Sequence, residues 1–518
     1  MPDGYAQYDH VSFGEGINRV MAVTNPEYPK GAVWDALNCI YQRDTNDIEK
    51  MGGMARLGTT AMGGTVTGLF DFNEGTRLIA LCSDGKLYEY AGSDWAVATG
   101  GTGLTASAAL RFSAHMFYGA TTLKNLLVVC NGTDAPQRYD NVNGMAILGG
   151  SPPATGQYPV SFGGSVYMAS GSTLFKSVVN DVEDWSGTGS GNIQVDRGSG
   201  IITGLTVFAG NLLIFKRRKV FRLIPGSTFA EASIREVSHT IGCVSNQTID
   251  EVGTLNDDRE ALFFLSENGV RALVPTNTTG GFAARNVSER VKPLIDRRSK
   301  ANQDTAWATF YDERGEYYLQ YGTSTNVPTE GLICNSARER KPIRWTRHNL
   351  ANMTAGTVWR SSGTELQVMA DTNGKVYQLH SGDTRDGVSY RGFIYSAAFV
   401  QGKPGAMKEY GSIYADIQAN GNYPIHVKYI LGRQGKMPAP GGGTVSVADL
   451  GFSGGFGEGT FGVAVWGGTE AAGTWVRPKT TRRGRFLRIQ IETSGPDTWF
   501  KWDGLSVEAN VTSDRIAA

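Results

Sequence analysis

The stretch Leu78-Ile79-Ala80-Leu81-Cys82-Ser83-Asp84-Gly85-Lys86-Leu87-Tyr88-Glu89-Tyr90 decides the fold of this chain. Two runs of β-forming residues flank a short polar turn that contains Asp-Gly. Both turn residues tolerate the positive φ angles of a tight hairpin, so this pair between β-rich runs is a strong hairpin signal. The stretch therefore predicts two adjacent antiparallel strands.

The same pattern recurs along the chain from about residue 67 to about residue 385. Six further pairs of β-runs, the fifth of them looser, are 126–130 with 137–139, 166–168 with 174–175, 212–215 with 220–223, 262–265 with 270–273, 317–321 with 332–334, and 366–369 with 376–379. Their spacing of roughly 40 to 55 residues is typical of four-stranded propeller blades. We therefore predict an all-β fold with a β-propeller, and estimate seven blades, with six as the alternative. Unrelated hairpins in a sandwich remain the competing fold.

Three regions follow from this pattern: an N-terminal arm or platform segment at 1–66, the propeller at 67–387, and a C-terminal β-domain at 388–518. The arm carries one predicted short helix around 33–38, and such a leader can add the strand that closes the ring or support a second domain. We expect another short helix after Asn286, capped by Ser288.

The C-terminal region has alternating runs of sandwich character at 412–417, 426–430 and 486–491. Between them lies a Gly-rich loop, 438–468. We expect this loop to be mobile in the free monomer and ordered only by a neighbour, because fixing so many glycines costs much conformational entropy.

Composition narrows the function classes. The chain has 49 Lys+Arg and 49 Asp+Glu, so its formal net charge is +0, which gives no support to a dedicated nucleic-acid binder. Its five cysteines are odd in number, lie far apart and form no CxxC, which favours assembly in a reducing cytosol over a disulfide framework or zinc site. The first residues do not resemble a signal peptide, and the apolar runs are too short for a membrane anchor.

We assign no catalytic, cofactor-binding or metal residue and predict that the chain is not an enzyme. The GxSxG letters at 451–455 and the GxGxxG letters at 457–462 lack the strand and helix that these motifs need. The six histidines (10, 115, 239, 348, 380 and 426) are isolated. Acidic residues at 181–184 and 257–258 are interpreted as solvated loops.

Three basic clusters, at 216–219, 297–298 and 482–485, suggest a surface for DNA phosphates or for an acidic patch on a neighbouring subunit. No aromatic residues alternate with them. We therefore favour solvent or inter-subunit contact over a DNA groove.

Several stretches resemble the propeller proteins of tailed-bacteriophage tails. They are 166–177 with its hairpin, 181–186 (DVEDWS), 200–205 (GIITGL), 208–216 (FAGNLLIFK), 264–271 (FLSENGVR), 457–468 (GEGTFGVAVWGG) and 483–491 (RGRFLRIQI). Within that group the chain is most similar to the tail nozzle of short-tailed phages, the type that includes tail tubular protein B and the packaged-DNA stabilisation proteins.

The resemblance implies a structural virion protein, assembled in the bacterial host cytoplasm. Its subunits would form a homo-oligomeric ring, a hexamer, below the tail adaptor protein and in contact with tail fibre or needle proteins. Viral DNA would pass through the ring during ejection without sequence-specific binding, and the ring would close or stabilise the packaged genome. No cofactor is implied. A baseplate-hub or host-recognition propeller is the alternative, followed by a propeller hydrolase acting on surface polysaccharide.

Overall fold

The computed structural model describes residues 7–513 except 23, 26, 44, 46, 118–124, 255–259, 277–280, 302, 324–328, 337–342, 401–405, 420–423, 433–440, 443–444, 447–481 and 496–497. These residues form β-strands and a few single-turn helices. The helices are α1 (Lys292–Ile295) and five 3-10 turns, Arg197–Ser199, Phe229–Glu231, Asn246–Thr248, Glu289–Val291 and Gln303–Thr305.

Five short strands come before the propeller. They are β1 (Gln7–Ser12), β2 (Val33–Leu37), β3 (Cys39–Tyr41), β4 (Ile48–Lys50) and β5 (Met54–Arg56). The first four belong to the sandwich that the strands after residue 388 form, and the fifth belongs to the propeller. The leader therefore connects the two parts of the fold.

The propeller has seven four-stranded antiparallel blades. Blade 1 comprises β6 (Val66–Phe72), β7 (Arg77–Cys82), β8 (Leu87–Tyr90) and β9 (Trp95–Val97), and blade 2 comprises β10 (Ser113–Phe117), β11 (Leu126–Cys130), β12 (Gln137–Asp140) and β13 (Gly144–Ile147). Blade 3 comprises β14 (Gln157–Phe162), β15 (Ser165–Ser170), β16 (Thr173–Lys176) and β17 (Gly191–Gln194). Blade 4 comprises β18 (Ile202–Phe208), β19 (Asn211–Lys216), β20 (Val220–Ile224) and β21 (Ser233–Ser238). Blades 5 and 6 comprise β22 (Asp250–Thr254), β23 (Glu260–Ser266), β24 (Gly269–Pro275) and β25 (Phe282–Asn286), and β26 (Trp307–Tyr311), β27 (Glu316–Tyr321), β28 (Glu330–Asn335) and β29 (Arg344–His348). Blade 7 comprises β30 (Met353–Ser361), β31 (Thr364–Asp371), β32 (Val376–Leu379) and β5.

Each predicted hairpin forms the two middle strands of one blade, so the propeller prediction is confirmed with seven blades. The turn glycines explain why the hairpins could be predicted from the local sequence. Gly85 has φ +77° and Gly374 has φ +73°, and at both positions a Cβ atom would lie within 2.3 Å of a backbone oxygen of another segment. Only glycine fits these turns without strain.

The ring closes through the leader. β5 pairs antiparallel with β32, with Met54 opposite Leu379, and supplies the outer strand of blade 7. The chain therefore joins residues near its start to the last blade, and the expectation that the leader can close the ring is confirmed. Such a closure leaves no open strand pair between the first and last blades.

A buried ionic network lies beside this closure. Glu316 on β27 is fully buried, and its carboxylate accepts a hydrogen bond from the Tyr318 hydroxyl at 2.7 Å. His380 Nε2 lies 3.1 Å from it, and Arg314 joins it to Glu49 of β4 with nitrogen–oxygen distances of 3.0 and 3.1 Å. Burial alone would raise the pKa of Glu316, but His380, Arg314 and Tyr318 outweigh burial and lower it to about 2. The network connects the leader, blade 6 and the end of blade 7.

The remaining strands form a C-terminal sandwich. They are β33 (Gly392–Ser396), β34 (Met407–Ala419), β35 (Pro424–Gly432), β36 (Gly441–Gly442), β37 (Val445–Ser446), β38 (Arg482–Gly484), β39 (Phe486–Thr493) and β40 (Phe500–Ser513). One sheet has the order β3-β4-β40-β34-β38, with β1 also paired to β40. The other sheet, β2-β33-β39-β35-β36, is continuous with blade 6 because β2 pairs in parallel with β29.

One hydrophobic core extends from the sandwich into blades 5 and 6. At its centre, Phe13 of the leader packs on Trp502 of β40 with ring centroids 4.3 Å apart, and both side chains are fully buried. Phe263 of blade 5 and Tyr317 of blade 6 belong to the same core. Sandwich and propeller are therefore held together by packed side chains as well as by a shared sheet.

Two local helix predictions have different outcomes. The helix expected around 33–38 is wrong: Val33–Leu37 is strand β2, because it lies between β29 and β33 and both neighbours pair with its backbone. The helix after Asn286 is present, but Ser288 Oγ accepts from Val270 N at 2.9 Å and does not cap it. Apart from β36 and β37, the Gly-rich loop 438–468 lies outside the described residues.

Candidate functional site

The first strands of the blades line a central channel. Residues of β6, β10, β14, β18, β26 and β30, together with the turn that precedes β22, surround a cavity of about 320 Å³. The channel of one propeller is therefore too small for a macromolecule.

Gln247 lies across this channel. From the turn before β22 in blade 5, its side-chain nitrogen donates to Thr67 O at 3.2 Å in blade 1 and to Phe112 O at 3.0 Å beside blade 2. Its Oε1 is buried and accepts no hydrogen bond from the described residues. Gln247 thus separates the channel cavity from a larger cavity at one mouth of the propeller, since it lines both.

Replacing Gln247 with alanine is expected to lower the free energy of unfolding by about 1–2 kcal/mol, because two buried carbonyls lose their donor. Urea unfolding followed by tryptophan fluorescence measures the change. Exposed Gln194 on the outer strand of blade 3, changed to alanine, is the matched control. An equal loss in both variants would contradict a bridging role for Gln247.

The mouth cavity has a volume of about 600 Å³ and is formed by blades 2 to 6. Its walls come from the segments that lead into the first strand of each of these blades and from two hairpin turns. The residues that line it include Arg111, Phe112, Asn131, Gln157, Tyr158, Ser199, Ile201, Thr203, Arg217, Asn246, Gln247, Lys300, Gln303 and Asp304. Since the segments come from five blades of one chain, the site exists only when the propeller is folded.

Tyr158 adopts an unusual backbone conformation at this cavity. Its φ is +53°, and it lies at a register shift between Gln157 and Val160 in the pairing of β14 with β15. A bulky residue with positive φ is strained, and bulges often redirect a side chain near a functional site. The Tyr158 backbone NH donates to Ser113 Oγ at 2.9 Å, which stabilises this conformation.

The charges at the mouth are predominantly positive. Arg111, Arg217 and Lys300 line the cavity with a single carboxylate among the described lining residues, Asp304. The positive charge of Arg217 is partly neutralised by Glu267, which does not line the cavity and whose Oε1 lies 2.6 Å from Arg217 Nε. Burial lowers the pKa of Arg111, and Asp304 opposes that effect. The described residues of the mouth therefore carry an excess of positive charge.

Burial shifts the pKa values of two other titratable groups near the channel, His115 and Asp250. His115 lines the central cavity, and burial lowers its pKa, which keeps the imidazole neutral at pH 7. Burial raises the pKa of Asp250 on β22 to about 7, and its carboxylate accepts from Phe310 N at 2.7 Å. Asp250 thus joins blade 5 to blade 6.

The basic cluster at 216–219 is largely satisfied within the chain. Lys216 is fully buried and donates to the carbonyls of Val195, Asp196 and Gly200 at 2.6 to 2.7 Å, so the solvent or inter-subunit role predicted for it is wrong. Arg218 pairs with Glu267 at 2.7 Å, as Arg217 does. Lys219 pairs with Asp196 at 2.7 Å. Contacts between blades explain most of this cluster.

The other charged clusters also have local partners where the structure describes them. Arg298 is buried and donates to Ser266 O at 3.0 Å, and Arg297 lies 3.7 Å from Glu330. In the acidic stretch 181–184, the carboxylate of Asp184 accepts from the backbone NH groups of the following turn, which lowers its pKa. Asp257 and Asp258, the side chains of Arg482 and Arg483, and both Gly-rich motifs lie outside the described residues.

Metal-binding clusters and membrane-spanning helices are absent from the described residues. These residues contain no group of three or more His, Cys, Asp or Glu side chains placed to hold a metal. All five cysteines are buried and unbonded to one another. No helix in the described part of the chain has the length and apolar character needed to cross a membrane.

Comparisons with known proteins gave structural likeness alone. No family model matches the chain, and no curated protein matches it. Among solved structures, U3-55K has a TM-score of 0.41 at 8% identity, covering 63% of this chain and 98% of that one. The RRP9 WD40 repeats have a TM-score of 0.40 at 8% identity, covering 63% and 99%. YCF48 from Cyanidioschyzon merolae has a TM-score of 0.39 at 11% identity, covering 64% and 99%.

Proposed function

We propose that this chain is a non-enzymatic structural subunit of a bacteriophage tail, one of a ring of six at the nozzle of a short-tailed particle. The observation that carries the proposal is the junction between blade 6 and the sandwich. Through β2, one sheet passes from the propeller into the sandwich, and one core packs both. A ring subunit needs domains with a fixed mutual orientation, because small rotations between them would prevent closure.

The route for DNA in this proposal lies between subunits. The cavity in the channel of a single propeller has a volume of only about 320 Å³, and Gln247 crosses the channel. A conduit between subunits agrees with the ring that the resemblance implies, through which viral DNA would pass during ejection. The formal net charge of +0 also favours a conduit, since contacts to phosphates would retard the exit of the genome.

The described residues that line the two cavities include no pair of carboxylates, which favours a structural role over a hydrolase. Among the described residues that line the two cavities, Asp304 alone carries a carboxyl group. Glycoside hydrolysis by the usual mechanisms uses two carboxyl groups on either side of the scissile bond.

The test is averaged electron microscopy and light scattering of the purified protein with phage heads that carry the tail adaptor. We expect a soluble, weakly associating protein that forms a six-membered ring only on those heads. Heads without the adaptor are the control. Stable rings in the protein alone would contradict templated assembly, and density at a peripheral baseplate position would favour the host-recognition alternative.

A further inference from the structure

We propose that the mouth cavity of the propeller is a binding site for an acidic saccharide, a sugar of one or two units that carries a carboxylate. This inference does not depend on the role of the chain in a phage tail. It rests on the size of the cavity, its hydrogen-bonding groups and its one strained aromatic residue.

Size is the first argument. A cavity of about 600 Å³ falls within the range of about 300–1,000 Å³ that is usual for small-ligand sites. It is concave, it faces the end of the propeller, and Gln247 forms part of its wall. A mono- or disaccharide fits this volume, whereas a folded partner domain does not enter it.

Hydrogen-bonding capacity is the second argument. Asn246 Oδ1 already accepts from Leu205 N at 3.2 Å, and Gln303 Oε1 accepts from Arg217 at 3.2 Å. Their amide nitrogens are therefore the groups left for a ligand, and Arg111 and Lys300 add positive charge to the same wall. A wall rich in donors selects a ligand rich in acceptors, and a carboxylate gains most from such donors.

The apolar groups at the mouth are the third argument. Tyr158 lines the cavity in a strained conformation while its side chain also packs against the core of blades 3 and 4, and Ile201 at the same mouth is 61% exposed. A sugar combines a C–H face, which packs on an aromatic ring, with hydroxyl groups, which bind amides. Inorganic phosphate or acetate would use the charges but not Tyr158.

The experiment is titration calorimetry of the full chain with glucuronic acid, and with glucose as the neutral analogue. For a sugar of about 13 non-hydrogen atoms we expect a Kd of about 1 mM. Glucose should bind at least about tenfold more weakly, because it lacks the charge-assisted hydrogen bonds. Raising the salt concentration should weaken glucuronate binding.

Three variants assign binding to the cavity. Arg111→Gln and Lys300→Gln should each weaken glucuronate binding, the former by about tenfold or more. Asp304→Asn should strengthen it several-fold, because it removes the carboxylate that opposes the ligand; a variant that only disturbed folding would not do so. Arg235→Gln, at an exposed position on the outer strand of blade 4, is the matched control and should leave the Kd unchanged.

Several outcomes would overturn the proposal. One is the absence of saturable binding at about 20 mM glucuronate, roughly twentyfold above the expected Kd. Another is equal affinity for glucose, or the same Kd in the Lys300→Gln and Asp304→Asn variants as in the natural chain. Equal affinity for acetate or for a short poly-glutamate peptide would assign the cavity to carboxylates in general and contradict the saccharide. Lys300 is exposed, so its variant keeps the test valid even if Arg111→Gln fails to fold.

Discussion

Replacing Glu316 with alanine is expected to lower the free energy of unfolding by about 3–5 kcal/mol. The substitution leaves the charge of Arg314 without its main partner beside the ring closure, and it removes the acceptor of the Tyr318 hydroxyl. Urea unfolding at pH 7 measures the loss. Exposed Glu27, changed to alanine, should alter the free energy by no more than about 0.5 kcal/mol.

The same residue gives the closure a defined pH dependence. The pKa of Glu316 is about 2 in the folded chain against a reference value of 4.5, so the carboxylate stabilises the fold fully above pH 4.5. This contribution is lost as the pH falls from 4.5 towards 2. We therefore expect the stability difference between the natural chain and Glu316→Gln to shrink over that interval. A difference that stayed constant down to pH 2.5 would contradict the network described here.

Replacing Trp502 with alanine is expected to cost about 3–5 kcal/mol, as large-to-small changes in a core do. Trp502 is fully buried, packs on Phe13 and donates from Nε1 to Gly504 O at 2.8 Å. The cavity left behind would lie where the two ends of the chain meet. Trp502→Phe is the conservative control and should cost less.

The form of that unfolding transition is equally informative. Because blade 6 and the sandwich share a sheet and a core, we expect Trp502→Ala to shift one cooperative transition of the whole chain. Calorimetry and fluorescence should give the same midpoint. Two separated transitions would mean that the sandwich unfolds independently of the propeller.

The blades could be predicted from the sequence because each carries its own local signal. The turn at Gly85 and the runs beside it require only near neighbours, and the same holds for Gly374. Strand β2 has no such signal. Its partners, β29 and β33, lie more than 300 residues further along the chain, so the short apolar segment at 33–37 is equally compatible with a helix.

The candidate site could not be found from sequence for a related reason. Arg111, Tyr158 and Asp304 lie in separate blades, and nothing in their local sequence connects them. The positive φ of Tyr158 is also invisible in sequence, since tyrosine rarely adopts it. Only the ring brings these side chains to one cavity. The basic residues 216–219 are conspicuous in sequence, but their surroundings differ. Lys216 is buried and donates to backbone carbonyls, whereas the Arg217 and Arg218 side chains pair with Glu267 and remain 54% and 74% exposed.

The pairing of β1 with β40 also determines how long β1 remains without its partner strand during translation. Gln7 pairs with Ala509, so the first strand emerges from the ribosome about 500 residues before its partner. At about 5–20 residues per second, that interval lasts roughly 25 to 100 s. All four strands of blade 7 lie at or before Leu379, so the propeller can close on the nascent chain while β1 still lacks its partner. During that time β1 exposes an unpaired strand edge, and crowded polysomes would be the place where such chains aggregate.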